Sequence, residues 1–229
     1  MVEIDIRQTK DGHLVLMHDD TIGRTTTGKG FLKEWTLDSL KNIYLIDGLG
    51  VTTQHKIPTL KQALELAKGK ILINLDKSYQ IFDKCFDIIE QTGTQDEVVI
   101  KWVKRKFEVE EEFGEYINKV HFMPIVRLAD SGAKEIVDEY MFLNPPIAIE
   151  FTARYDTLQG IARFHNIREQ GTSIWVNSLW PQHNGGHDDE KAAIDPTIYD
   201  WYIDNNIDII QTDRPKHLLN YLRSKGYHN

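Results

Sequence analysis

Seven short apolar runs, Val2 to Gln8, Lys70 to Asp76, Glu97 to Trp102, His121 to Val126, Pro146 to Phe151, Ser173 to Ser178 and Ile207 to Thr212, recur along the chain with helix-patterned stretches between them. Strands that alternate with helices pair in parallel, because each crossover helix carries the chain back to the end of the sheet it left. The sequence therefore predicts an α/β fold of successive βα units. The helix ends are marked as well. Thr59 and Gln62 form a capping-box pattern for a helix over 59–68 that Gly69 stops. Pro215 sits in the first turn of another, 213–225, with Gly226 after it. There is no low-complexity linker, and Pro145-Pro146 merely introduces a strand. With 229 residues and 41% hydrophobic content, a single domain over 1–229 is expected. A short insertion is expected at 28–54.

Composition narrows the function classes. The formal charge of −8, from 27 basic and 35 acidic residues, argues against a generic nucleic-acid binder, which carries a basic stripe, and leaves room for local basic pockets. No apolar run approaches membrane-spanning length and no charged-then-apolar leader is present, so a soluble chain without stable membrane insertion is expected. The compartment stays open between cytoplasm and periplasm or secretion. Cys85, alone in the sequence, lies in an apolar-periodic stretch and reads as a small buried hydrophobe. The acidic run Glu108 to Glu112 reads as a solvated helix face.

Chemistry-bearing residues concentrate at the start. Glu3, Asp5 and Arg7 alternate with Ile4 and Ile6, which gives the first strand one charged and one apolar face. Asp11-Gly12 predicts a two-residue type I′ turn. Counting back from that turn sets Asp5 opposite His18, and opposed residues have Cβ atoms about 4.5–5.5 Å apart. An imidazole with an unperturbed pKa of about 6.5 beside carboxylates is suited to proton transfer near neutrality.

The same segment carries a family likeness. Glu3-x-Asp5, Thr9, Asp11-Gly12, Val15, His18-Asp19 and Arg24-Thr25-Thr26-x-Gly28-x-Gly30 resemble the glycerophosphodiester phosphodiesterases. The resemblance continues through Ile57-Pro58-Thr59-Leu60, Trp175-Val176-Asn177 and Ile209-Ile210-Gln211-Thr212-Asp213-Arg214-Pro215. It implies a TIM-type (β/α)₈ barrel, with the first βα unit, which carries a His-Arg pair and a Glu-Asn motif in that family, expected upstream of the Glu-x-Asp strand and absent here. The stretch 28–54 resembles the family's small cap. The implied activity is hydrolysis of a small-molecule glycerophosphodiester to sn-glycerol 3-phosphate and an alcohol, assisted by a divalent cation.

In barrels the chemistry gathers at the C-terminal ends of the strands. Carboxylates on neighbouring strands repel unless a cation neutralises them, and oxygen ligands select Mg²⁺ or Ca²⁺ over zinc. Glu3, Asp5 and Asp76 are the expected metal ligands. The resemblance calls for Glu-x-Lys on the second parallel strand, whereas this chain reads Asn74-Leu75-Asp76-Lys77, so Asn74 is the alternative ligand. His18 is the expected catalytic acid/base, with Asp19 as its orienter or a turn residue. Arg24, Lys101, Glu150, Asn177 and Trp180 are expected to contact substrate, Lys101 as the cation near the phosphate. The polar loop 179–190 reads as a lid or head-group pocket, walled by Trp175 and Trp180, and its His183-x-x-x-His187-Asp188 pattern admits a second-metal reading. Two other functions compete: a non-catalytic barrel that binds a metal and an anion, and a phospholipase D-type lipid hydrolase of similar architecture.

Overall fold

The computed structural model describes residues 1–114 and 116–228. The chain divides into two compact units, Met1–Lys101 with Glu115–His121, and Trp102–Gly114 with Phe122–Asn229.

In the first unit β1 (Val2–Gln8) pairs antiparallel with β2 (Leu14–Leu16). On its other side β1 runs parallel to β3 (Ile73–Asp76), and β3 runs parallel to β4 (Val98–Trp102). The short α1 (Leu37–Leu40) belongs to the cap region. The helix α2 (Leu60–Ala67) starts on the expected capping box, with the Thr59 hydroxyl accepting from the Gln62 amide and the Gln62 side chain accepting from the Thr59 amide. Its chain keeps turning as far as Ile71, whose amide still donates to the Ala67 carbonyl. That is why the strand expected from Lys70 begins only at Ile73. In α3 (Phe82–Thr92) the apolar face Phe82, Cys85, Phe86 and Ile89 is buried. Cys85 is a core residue, as its spacing suggests, and burial pushes its thiol up to about 12.

The opening hairpin departs from the expected turn. The Thr9 amide donates to the His13 carbonyl, so the loop holds three residues, with Gly12 at φ +89°. A three-residue loop closed by a glycine in the left-handed region is the next commonest hairpin solution. It shifts the register by one, to Ile6 opposite Leu16 and Gln8 opposite Leu14. Met17, not His18, therefore faces Asp5, and its amide donates to the Asp5 carbonyl. A one-residue slip moves every side chain to the other face. Beyond the hairpin, Val15, Met17, Ile22, Leu32, Leu40 and Ile57 form a separate small core beneath the 28–54 stretch. That stretch is held by bridges between Thr26 and Leu45 and between Ile46 and Thr52.

In the second unit β5 (His121–Arg127), β6 (Ala148–Thr152), β7 (Ser173–Asn177) and β8 (Ile209–Gln211) pair in parallel in that order. The helices are α4 (Lys106–Phe113), α5 (Ala133–Met141), α6 (Phe164–Glu169), α7 (Asp189–Ile194), α8 (Asp200–Asp204) and α9 (Pro215–Ser224). Val137, Ile149, Phe151, Phe164, Ile174, Val176, Tyr199 and Tyr202 form its core. All seven expected runs are strands. In α4 the acidic run makes local contacts, Glu108 accepting from the Arg105 amide and Glu112 pairing with Lys104. No helix among the described residues is long and apolar enough to cross a membrane.

Candidate active site

Parallel register assembles the charged face. Glu3 stands beside Asn74 and Asp5 beside Asp76, and Lys101 follows Ile100, the partner of Leu75. Residues two apart on a strand share a face, so Glu3, Asp5, Asn74, Asp76 and Lys101 all project to one side. The Lys101 ammonium is 3.1 Å from Glu3 Oε1 and 3.8 Å from Asp76 Oδ2, on a side chain only 6% exposed. Glu3 and Asp76 also hydrogen-bond each other. Burial pushes the Glu3 carboxyl up to about 7, outweighing Lys101. Burial opposes ionisation of Asp76 too, but Lys101, the bond from Glu3 and the Lys77 amide hold it below its ordinary value. The two carboxyls thus move in opposite directions, Glu3 toward its protonated form and Asp76 toward its ionised one.

Asp5 is engaged separately. Lys77 Nζ lies 2.9 Å from Asp5 Oδ1 and donates to the His18 carbonyl at 2.7 Å. Lys77 has φ +57°, a left-handed conformation uncommon for a lysine and concentrated at functional sites. The expected trio Glu3, Asp5 and Asp76 is therefore divided: the first and last converge, and Asp5 is turned to an ammonium.

His18 is 64% exposed. Its Nδ1 is 2.6 Å from Asp19 Oδ1; a carboxylate only accepts, so Nδ1 carries the hydrogen and Nε2 is the atom turned to proton transfer. Arg24 closes the chain with two bonds to Asp19, at 2.6 and 3.0 Å. Arg24 and His18 together hold the Asp19 carboxyl well below the usual range. Asp19 thus orients the His18 ring, and Arg24, expected on the substrate, bonds Asp19 through Nε and Nη2. Arg7 also grips the His18 carbonyl, at 3.1 and 3.3 Å.

Among the described residues no three His, Cys, Asp or Glu side chains converge as a metal-holding group. The donor set that does converge includes an amide. Asn74 is fully buried, and neither Oδ1 nor Nδ2 has a hydrogen-bond partner. Two carboxylates and an unpartnered amide oxygen on one face suit a hard divalent cation. The residues present fit such a cation through Glu3 and Asp76, with Asn74 as the neutral donor.

The remaining expected residues gather in the second unit. Asn177 Nδ2 donates to the buried Glu150 at 3.4 Å, and Asn177 Oδ1 is 3.1 Å from His183 Nδ1. Trp175, also buried, donates its indole N–H to Gln211, whereas Trp180 is 59% exposed. The loop 179–190 is not a free lid. Ala153 pairs with it on both sides, donating to the His183 carbonyl and accepting from the Gly185 amide. Gly185, at φ +64°, passes so close to Asp156 that an added Cβ would lie 2.7 Å from its backbone nitrogen. The second-metal reading fails on geometry: His183 bonds Asn177, His187 stacks on Trp201 near Asp156, and Asp188 caps α7. Asp189 was missed in the sequence, and nothing local marks it. Buried, it accepts from the hydroxyls of Ser178, Tyr199 and Thr212 and from the Asp213 amide.

The raised Glu3 carboxyl makes a pH prediction. Folded Glu3 keeps its proton up to about 7 against an ordinary 4.5, so its contribution to stability is complete below 4.5 and is lost as pH rises through 7. In chelator-treated buffer, Glu3→Gln is expected to melt above wild type at pH 8, with the gap closing toward pH 5. A gap constant with pH would show that Glu3 ionises freely.

A sequence profile of the glycerophosphoryl diester phosphodiesterase family matches residues 1–135, and one of a domain of unknown function matches residues 122–222. A glycerophosphodiester phosphodiesterase of Caldanaerobacter subterraneus is 42% identical over 77 residues, 33% of this chain and 32% of that protein. A putative one from Bacillus subtilis is 40% identical over 72 residues, 31% of this chain and 30% of that protein. The matched stretch thus spans about a third of each of these relatives. Among solved structures, a glycerophosphoryl diester phosphodiesterase from Parabacteroides distasonis superposes with a TM-score of 0.79 at 26% identity, over 97% of this chain and 75% of that one. An Oleispira antarctica phosphodiesterase, solved in complex with the product sn-glycerol-3-phosphate, superposes with a TM-score of 0.64 at 18% identity, over 97% of this chain and 84% of that one, a likeness of fold. The fold is α/β of the TIM-barrel type. With its profile covering more than half of the 229 residues, this chain belongs to the glycerophosphoryl diester phosphodiesterase family.

Proposed function

We propose that the protein hydrolyses glycerophosphodiesters to sn-glycerol 3-phosphate and an alcohol with the help of a hard divalent cation, Mg²⁺ or Ca²⁺. One observation carries this reading: the Lys77 ammonium touches both Asp5 and the His18 carbonyl, so the carboxylate face and the oriented histidine lie within reach of a single side chain. The sn-glycerol-3-phosphate held as product by the Oleispira antarctica enzyme supports the same product here.

Glu3 and Asp76, with Asn74, would hold the cation, which when bound polarises a phosphoryl oxygen and acidifies a glycerol hydroxyl. His18 transfers a proton at Nε2 to the departing alcohol. Asp19 fixes the ring by accepting from Nδ1. Arg24 keeps Asp19 ionised and aimed. Lys77, pinned over Asp5, sets the His18 backbone. Lys101 supplies positive charge toward the phosphate, and within the second unit Asn177 donates to the buried Glu150.

Release of glycerol phosphate from glycerophosphocholine, glycerophosphoethanolamine and glycerophosphoinositol, with Mg²⁺, with Ca²⁺ and with chelator, tests the reading. Cation-dependent release abolished in Asp76→Ala supports it. Turnover of none of the three diesters by the protein in either cation would overturn it in favour of a binding role.

A further inference from the structure

We propose that the Glu3–Asp76 pair is a cation seat for which the Lys101 ammonium and a hard divalent cation compete, with the Asn74 amide oxygen reserved for the metal. This deepens the reading above and rests on it for the class of cation.

Two independent features converge on the seat. The first is its present occupant: the Lys101 ammonium is 3.1 Å from Glu3 Oε1 and 3.8 Å from Asp76 Oδ2. Divalent cations of this class bind carboxylate oxygens at about 2.0–2.6 Å. A metal on the same two oxygens would therefore lie within a few ångströms of that ammonium, at like charge in a buried site. Both cannot stay. Lysine leaves readily, since its charge sits at the end of a flexible four-carbon stem. The second feature is Asn74, in register with Glu3 on β3 and two residues from Asp76 on the same face. It is fully buried, and both amide atoms lack partners. A buried amide left unpaired costs free energy and is rare in folded proteins. A lysine offers Asn74 Oδ1 nothing while it serves the carboxylates, but a metal taking that oxygen as third donor would satisfy it.

The exchange has a functional consequence. In the metal-free protein Lys101 fills the seat between Glu3 and Asp76. Once the metal takes the seat, the displaced ammonium becomes available to an anion, so loading the cation also creates a phosphate contact. The metal and the lysine then act in sequence rather than as substitutes. Substrate anion should bind the loaded protein better than the unloaded one.

Isothermal titration calorimetry with MgCl₂ and with CaCl₂, on wild type, Lys101→Met, Asn74→Leu and Asn74→Asp, tests the seat without any phosphodiester present. Removing the competing charge in Lys101→Met is expected to tighten cation binding by about tenfold. Removing the amide oxygen in Asn74→Leu is expected to weaken it by about tenfold, and Asn74→Asp to tighten it. A further titration with inorganic phosphate is expected to show cation-promoted binding in wild type that Lys101→Met has lost. Circular dichroism melts establish that each variant folds, and Asn74→Asp carries the test of that position if Asn74→Leu does not. Equal or weaker cation binding in Lys101→Met, indifference to both Asn74 substitutions, or binding by none of the four proteins would overturn the proposal. Because calorimetry reads the cation alone, the expected pattern without hydrolysis would remove the proposed function and keep the seat. Cation-dependent hydrolysis with an unchanged Lys101→Met affinity would do the reverse.

Discussion

Replacing His18 by asparagine is expected to lower kcat for glycerophosphodiester hydrolysis by about 10²–10⁴-fold, the usual contribution of a positioned proton-transfer group. The protein should stay folded. The His18 side chain is largely exposed and its structural bonds run through its carbonyl, which accepts from Arg7 and Lys77, so the change should move stability by no more than about 0.5 kcal/mol. Asp19→Asn provides the companion measurement. It keeps the shape of the orienting residue but offers the imidazole a neutral amide, and it leaves Arg24 one acceptor oxygen in place of two. Activity should fall there too, by less than in the histidine variant, because the ring has lost the carboxylate that orients it. Initial rates on glycerophosphocholine across pH 5 to 9 would show both effects. A His18 variant that turns over at the wild-type rate would take the histidine out of the chemistry.

The largest expected effect on stability lies in the second unit, at Asp189. Alanine there leaves the hydroxyls of Ser178, Tyr199 and Thr212 and the Asp213 amide without their common acceptor. Tyr199 is fully buried in the core and Ser178 is fully buried beside it. Stranding buried donors costs about 1–3 kcal/mol each and more around a charged partner, although Ser178 keeps a second acceptor in the Gln211 carbonyl. A total loss of about 3–5 kcal/mol follows, and at roughly 2–4 °C per kcal/mol for a chain of this size the melting temperature should drop by about 6–20 °C. Asp189→Asn should fall between, because its amide presents one acceptor and one donor to groups that all donate. Urea unfolding monitored by tryptophan fluorescence would measure it. An alanine variant as stable as wild type would mean that these donors find water, and that Asp189 is not a keystone of the β7 to β8 end.

The strands and helices were legible because their signals are local. Capping residues at Thr59 and Gln62, proline at 215 and apolar spacing in 82–89 act within a turn or two of chain, and each appears where the sequence places it. The hairpin differs from its expected form for an instructive reason. Asp11-Gly12 is compatible with a two-residue and a three-residue loop, and the choice fell to contacts outside the loop: the Asp11 carboxylate accepts from the Leu37 amide and the Thr9 hydroxyl. Both contacts hold the aspartate in the wider turn. The resulting slip removed Asp5 from His18, and Lys77, from a distant strand end, restored the link through an ammonium. Nothing in the order Asn74-Leu75-Asp76-Lys77 announces a left-handed lysine.

Residue type and spacing alone determined the α/β rhythm, the charged face of β1 and the adjacency of His18 to Asp19, while the family resemblance singled out His18 and the cation ligands. These depend on neighbours one to five residues apart, so they are written in the chain's own order. Tertiary structure decided who pairs with whom. It gave Glu3 to Asp76 and Lys101, Asp5 to Lys77, and Arg24 to Asp19, and it left Asn74 buried without a partner. Each outcome turns on strand register and on which charge reaches a carboxylate first. Those are competitions among residues up to about a hundred positions apart, decided by burial and Coulomb attraction once the sheet has formed.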